Sequence, residues 1–135
     1  MASIRFIGIP ERHIRVLVKT FNLIAEGKRK ENIDEDAVMV VLGNLCTEKF
    51  IFTKAESEYW LKKWQENPNI HTPWDFGSWI DALSSAEIDL KELILFDGGS
   101  GSIVFEQLAW PSGGLEAIEQ IVKVFDGTVL ENSGF

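Results

Sequence analysis

Between Pro10 and Gly27 the apolar side chains recur at a spacing that only a helix satisfies. Ile14, Leu17, Val18, Phe21 and Ile24 form one stripe, and Arg12, Arg15, Lys19, Asn22 and Glu26 form the opposite one. A stripe of this kind has to be buried against another element. The segment before it, Ser3 to Ile9, is rich in β-branched and aromatic residues and ends at Pro10, which predicts a short strand leading into a helix start. Gly27 stands where a C-terminal cap belongs, followed by the basic tripeptide Lys28, Arg29 and Lys30.

The helical period persists through the first half of the chain. Asn32 with Glu35 resembles a capping signal ahead of Ala37, Val38, Val41, Leu42 and Leu45, although Met39 and Val40 leave either a deeply buried helix or a strand open. Thr53 with Glu56 is a capping box before a third helix ending near Asn67, where Pro68 prevents continuation. Thr72, Pro73 and Asp75 repeat that logic for a fourth helix burying Phe76, Trp79, Ile80 and Leu83.

The last third changes character. Glu92 to Asp97 and Ser102 to Trp110 read as strands joined by Gly98, Gly99, Ser100 and Gly101, whose glycines permit the positive φ of a hairpin turn. Ser112 then caps a helix with the stripe Leu115, Ile118, Ile121, Val122 and Phe125, and Asp126-Gly127 ends it before a strand from Thr128 to Leu130. The order implies an α+β fold: an N-terminal strand, a largely helical first half, and a C-terminal ββαβ unit forming a mostly antiparallel sheet packed by helices. At 135 residues the expectation is a single globular domain, 1–135.

Motifs for chemistry are sparse. Cys46 is the sole cysteine, in or after an apolar helix where a thiol is inert packing, and it cannot form an internal disulfide. His13 and His71 read as surface histidines. These three residues cannot furnish the usual zinc ligands, so neither a structural metal nor a cofactor is expected. The run Asp97 to Ser102 leads into a strand rather than a helix and lacks the Gly-Lys-Ser/Thr ending of a phosphate loop, so it reads as a turn. Trp110 to Gly114 precedes a helix N-terminus but has no basic neighbour in sequence, and reads as a strand-to-helix turn. Asp34, Glu35 and Asp36 complement a helix start, and Glu116 and Glu119 lie on a solvated helix face.

Charge and tryptophan carry the functional expectation. Residues 1–74 hold eleven Lys and Arg against ten Asp and Glu, whereas residues 75–135 hold two against eleven, so the net charge of -8 is +1 in the first segment and -9 in the second. That balance disfavours direct nucleic-acid binding and favours a basic protein partner. Trp60, Trp64, Trp74 and Trp79 fall within twenty residues. Trp79 belongs to a core stripe, while Trp60, Trp64 and Trp74 are candidates for a recognition surface, together with Asp75, Asp81 and Asp97. The sequence thus suggests a non-enzymatic acidic binding protein, of the inhibitor or immunity kind that neutralises a basic toxin or nuclease. It carries no bilayer-spanning apolar run and is expected in the cytoplasm, without a membrane partner. The rival expectation is a small-molecule-binding protein or enzyme, with a pocket between sheet and helices lined by Trp74, Trp79 and Trp110 and using Asp97 or His71. The oligomeric state has no signature in the chain.

Overall fold

The computed structural model describes residues 1–70, 73–108 and 114–134. In chain order the elements are β1 (Ala2–Ile7), α1 (Glu11–Arg29), α2 (Glu35–Leu42), α3 (Asn44–Lys49), β2 (Phe50–Ile51), α4 (Lys54–Glu66), β3 (Trp74–Asp75), α5 (Phe76–Ser85), β4 (Ile88–Leu95), β5 (Gly101–Gln107), α6 (Leu115–Val124) and β6 (Thr128–Asn132). The fold is α+β. Four strands form an antiparallel sheet in the order β4-β5-β1-β6, and β2 and β3 form a separate parallel pair. The β1 strand therefore lies inside the sheet, between β5 and β6.

Alternation along the strands decides which face is covered. Ile4 and Phe6 of β1, Ile103 and Phe105 of β5, and Ile88 and Leu90 of β4 point inward and are buried, while Arg5, Ser102 and Asp89 take the other face. Against the inward face pack Leu17, Phe21 and Ile24 of α1, Trp79 and Leu83 of α5, and Ile118, Ile121 and Val122 of α6. One contiguous core joins all of them. Trp79 is fully buried and donates its indole N–H to the Ala117 carbonyl at 2.8 Å, tying α5 to α6 while satisfying its one polar group.

Several boundaries differ from the expectations, each for an identifiable reason. The α1 helix runs through Gly27 to Arg29, and Gly27 is buried rather than a cap, because a Cβ there would lie 2.7 Å from the Ile33 Cα. Gly27 thus lets the chain double back tightly onto α1. Asp34, not Asn32, caps α2, accepting the Ala37 N–H at 3.0 Å. The apolar run after it is helical but short and only partly buried: Val38 and Leu42 face the core, Val40 is 81% exposed, and Gly43 at φ 57° breaks the helix before α3. Asp75 is itself the N-cap of α5, accepting the Ser78 N–H at 2.9 Å, so the helix starts at Phe76; Thr72, expected as that cap, lies outside the described residues. Ser112, expected to cap the last helix, and Trp110 also lie outside them.

The β4 strand begins at Ile88, four residues earlier than the sequence suggests. A bulge between Leu90 and Glu92 inserts Lys91, so the inward positions run Ile88, Leu90, Leu93 and the period of two is broken midway. Lys91 turns that irregularity to use, pairing with Asp89 at 2.6 Å and Glu106 at 3.5 Å on the sheet edge.

Candidate functional site

The α4 helix is the one least bound to the body of the molecule. Thr53 caps it, accepting the Glu56 N–H at 3.1 Å, and its hydroxyl donates to the Glu56 carboxylate. None of its thirteen residues is buried. Tyr59 and Leu61 are more than half exposed, Trp64 is 47% exposed, and Trp60 is half-buried with its ring edge-on to Tyr59. Such a helix gains little from core burial, and its aromatic side chains remain available to other molecules.

Trp64 lies near the C-terminal end of α4, from which the chain turns at Asn67 to Ile70 and returns through Pro73 into β3. The β3 strand holds Trp74 half-buried against the core by pairing Trp74 with Phe50. Across from them stands the solvent face of α6. Its buried face, from Ala117 to Val124, fixes the helix rotation, and residues Glu116, Glu119 and Lys123 consequently fall on the outer side at spacings of three and four. Together Trp64, Ile70, Pro73, Trp74, Glu116, Glu119 and Lys123 line an open groove of about 610 Å³.

Lys123 lines this groove with the two carboxylates but is not paired with either among the described residues. Glu119 accepts a hydrogen bond from the Asn132 side-chain amide at 2.9 Å, which orients it from β6 without cancelling its charge. Among the described residues neither Glu116 nor Glu119 forms an ion pair, and Lys123 forms none with Glu119 despite the four-residue spacing. Two indoles beside two carboxylates that form no ion pair among the described residues suit a cation with a flat or apolar body.

The sequence candidates therefore separate. Trp64 and Trp74 come together in the groove, Trp60 does not line it, and Asp75 is engaged in capping α5. Asp81 is exposed on α5, and Asp97 is exposed in the β4–β5 turn, where its carbonyl accepts the Ser100 hydroxyl at 3.0 Å. Glu116 and Glu119 were legible in sequence only as a solvated face. Their spacing marks one helix side, but nothing local indicates that two tryptophans from other elements oppose it.

Other polar groups have structural partners. His13 is largely covered rather than on the surface, against Phe125 and 3.6 Å from Asp126, which also receives Lys49 at 2.5 Å. The Lys49 hydrogen bond holds the Asp126 carboxyl below the usual range despite some burial. His71 lies outside the described residues. Cys46 is buried, and desolvation pushes its thiol up to about 11, the state of an unreactive cysteine. A second cavity of about 330 Å³ includes Lys28, but its ammonium is fastened to the Leu83 and Ala86 carbonyls, and burial lowers its pKa. Lys28 thereby caps the α5 C-terminus. Among the described residues no group of three or more His, Cys, Asp or Glu is placed to hold a metal ion, and no helix is long and apolar enough to cross a membrane. No protein-family model, curated protein or solved structure matches the chain.

Proposed function

We propose that this chain is a non-enzymatic, cytoplasmic protein-binding module that engages a basic protein partner through the tryptophan groove and its acidic surroundings. The biological form we infer is an inhibitor or immunity protein that neutralises a basic toxin or nuclease. One observation carries the reading: Trp64 and Trp74 share a groove with Glu116 and Glu119, which form no ion pair among the described residues. Buried aromatic anchors ringed by polar groups are the usual source of interface energy, and unpaired carboxylates select a positive partner.

The test is capture from the native cell on immobilised wild type, a Trp64→Ala/Trp74→Ala variant, and a Phe96→Ala control at the exposed hairpin turn, all shown to be folded by circular dichroism. A basic protein retained by wild type and control and lost by the double variant is expected, with purified components reproducing the loss. Equal recovery on all three surfaces rejects the reading. A groove of about 610 Å³ also has the size of a small-molecule site, which favours a ligand-binding protein as the second reading. That alternative predicts a rise in melting temperature with a metabolite and no captured protein.

A further inference from the structure

Resting on the protein-binding reading above, we propose that the groove receives one arginine side chain of the partner, its guanidinium held against the indoles of Trp64 and Trp74 and its N–H groups donated to Glu116 and Glu119. Four features of the site select this occupant. The first is the pairing of aromatic and anionic walls, with Trp64 and Trp74 from α4 and β3 facing the two carboxylates of α6. Arginine satisfies both at once, since its planar cation stacks on an aromatic face and forks onto carboxylate oxygens, whereas a lysine ammonium is a more strongly hydrated point charge.

The second is preorganisation. Asn132 on β6 donates to Glu119 Oε2 at 2.9 Å and is itself fixed by accepting the Gly134 N–H at 2.9 Å. Glu119 is therefore aimed before any partner arrives, and its other oxygen has no hydrogen bond among the described residues. The third is Lys123, which lines the same groove seven residues beyond Glu116. On a helix that is about 10 Å, with Glu119 between them one turn before Lys123, so the groove grades from negative at Glu116 to positive at Lys123. A single cation is accommodated at the acidic end and a second is repelled. The fourth is the surface around the groove. Leu61 lies one helical turn before Trp64 and is 54% exposed, so the apolar surface extends along α4 beyond the reach of a free amino acid. A protein carrying the arginine covers it.

The experiment is an NMR titration of the full chain, following the indole N–H signals of Trp64 and Trp74, with Nα-acetyl-arginine amide and its lysine and citrulline counterparts as probes. The arginine probe is expected to shift both indoles saturably at millimolar concentration. The lysine probe should bind several-fold more weakly, and neutral citrulline about tenfold more weakly. A Glu116→Gln/Glu119→Gln variant should lose about tenfold for arginine and become indifferent to the change to citrulline. Glu116 is exposed, and at the half-buried Glu119 the glutamine amide oxygen can still accept the Asn132 hydrogen bond, so this variant is expected to keep its fold, which the remaining spectrum verifies.

Equal binding of arginine and citrulline, unshifted indoles, or undiminished binding to the glutamine variant would each overturn the proposal. Its failure is distinguishable from that of the broader reading. If the probe does not bind but capture still depends on Trp64 and Trp74, the arginine is wrong and the protein interface stands. If the probe binds but capture is unchanged, the protein partner is overturned as the source of the cation.

Discussion

Asp126 shows how one residue can hold three segments together. It follows α6 at φ 64°, a left-handed conformation that aspartate tolerates better than most residues. From there its carboxylate meets Lys49 at the end of α3 and His13 on α1. Its pKa is lowered chiefly by the Lys49 hydrogen bond, so the sign of the pH dependence is fixed. A carboxyl with a depressed folded-state pKa contributes stability that is present above its unfolded value, near 4, and is lost as pH falls through the folded one. Urea unfolding of Asp126→Asn should therefore show lower stability than wild type at pH 6, with the two curves converging once the pH has fallen well below the ordinary carboxylate value. Curves that stay parallel down to that pH would mean the residue acts through its backbone conformation alone. Because Asp126 is solvent-accessible, the effect is expected to be modest and to shrink with salt.

At the scale of elements, α4 differs from the other long helices in contributing no buried side chain. Its stability rests on its own capping and on the chain segments at its ends. Thr53→Ala removes the acceptor of the Glu56 N–H, which costs about 1 kcal/mol and should speed amide exchange in α4 about fivefold. Exchange in α1 and α6 should stay unchanged. A parallel loss of protection there would show that α4 unfolds only with the whole molecule. The same element shows why parts of the fold were legible in sequence. The α4 cap, the α1 and α6 stripes and the β4–β5 turn are local patterns, and the chain follows them. The β2–β3 pair was not legible, because Phe50–Ile51 and Trp74–Asp75 are two residues each and are strands only through partners far along the chain. The start of β4 was hidden because the Lys91 bulge interrupts the alternation that identifies a strand. The groove was half legible: Trp64 and Trp74 stood out by residue type, whereas Glu116 and Glu119 gain their meaning only once α6 packs across from them.

Over the whole molecule, the net charge of -8 is a charge of -9 in the segment from Asp75 onward, which supplies most of the sheet and α6, offset by +1 before it. A field of that sign draws a basic partner in from a distance, and salt screens it beyond a Debye length of about 8 Å at physiological ionic strength. For a basic partner obtained by capture, raising salt from about 0.05 M to about 0.5 M should slow association at least tenfold and change dissociation far less. A salt effect confined to dissociation would assign the charge to direct contacts instead. The parallel pairing of β2 with β3 has a wider consequence. Parallel strands cannot be joined by a tight turn, so this pairing demands a long crossover, and α4 forms part of it while remaining outside the core. Sequence there is free of the packing constraints that govern α1, α5 and α6. Trp64 stands on this unburied helix, so a lineage can redraw that wall of the groove by ordinary substitution while the fold, and the backbone of α6 across from it, stay as they are.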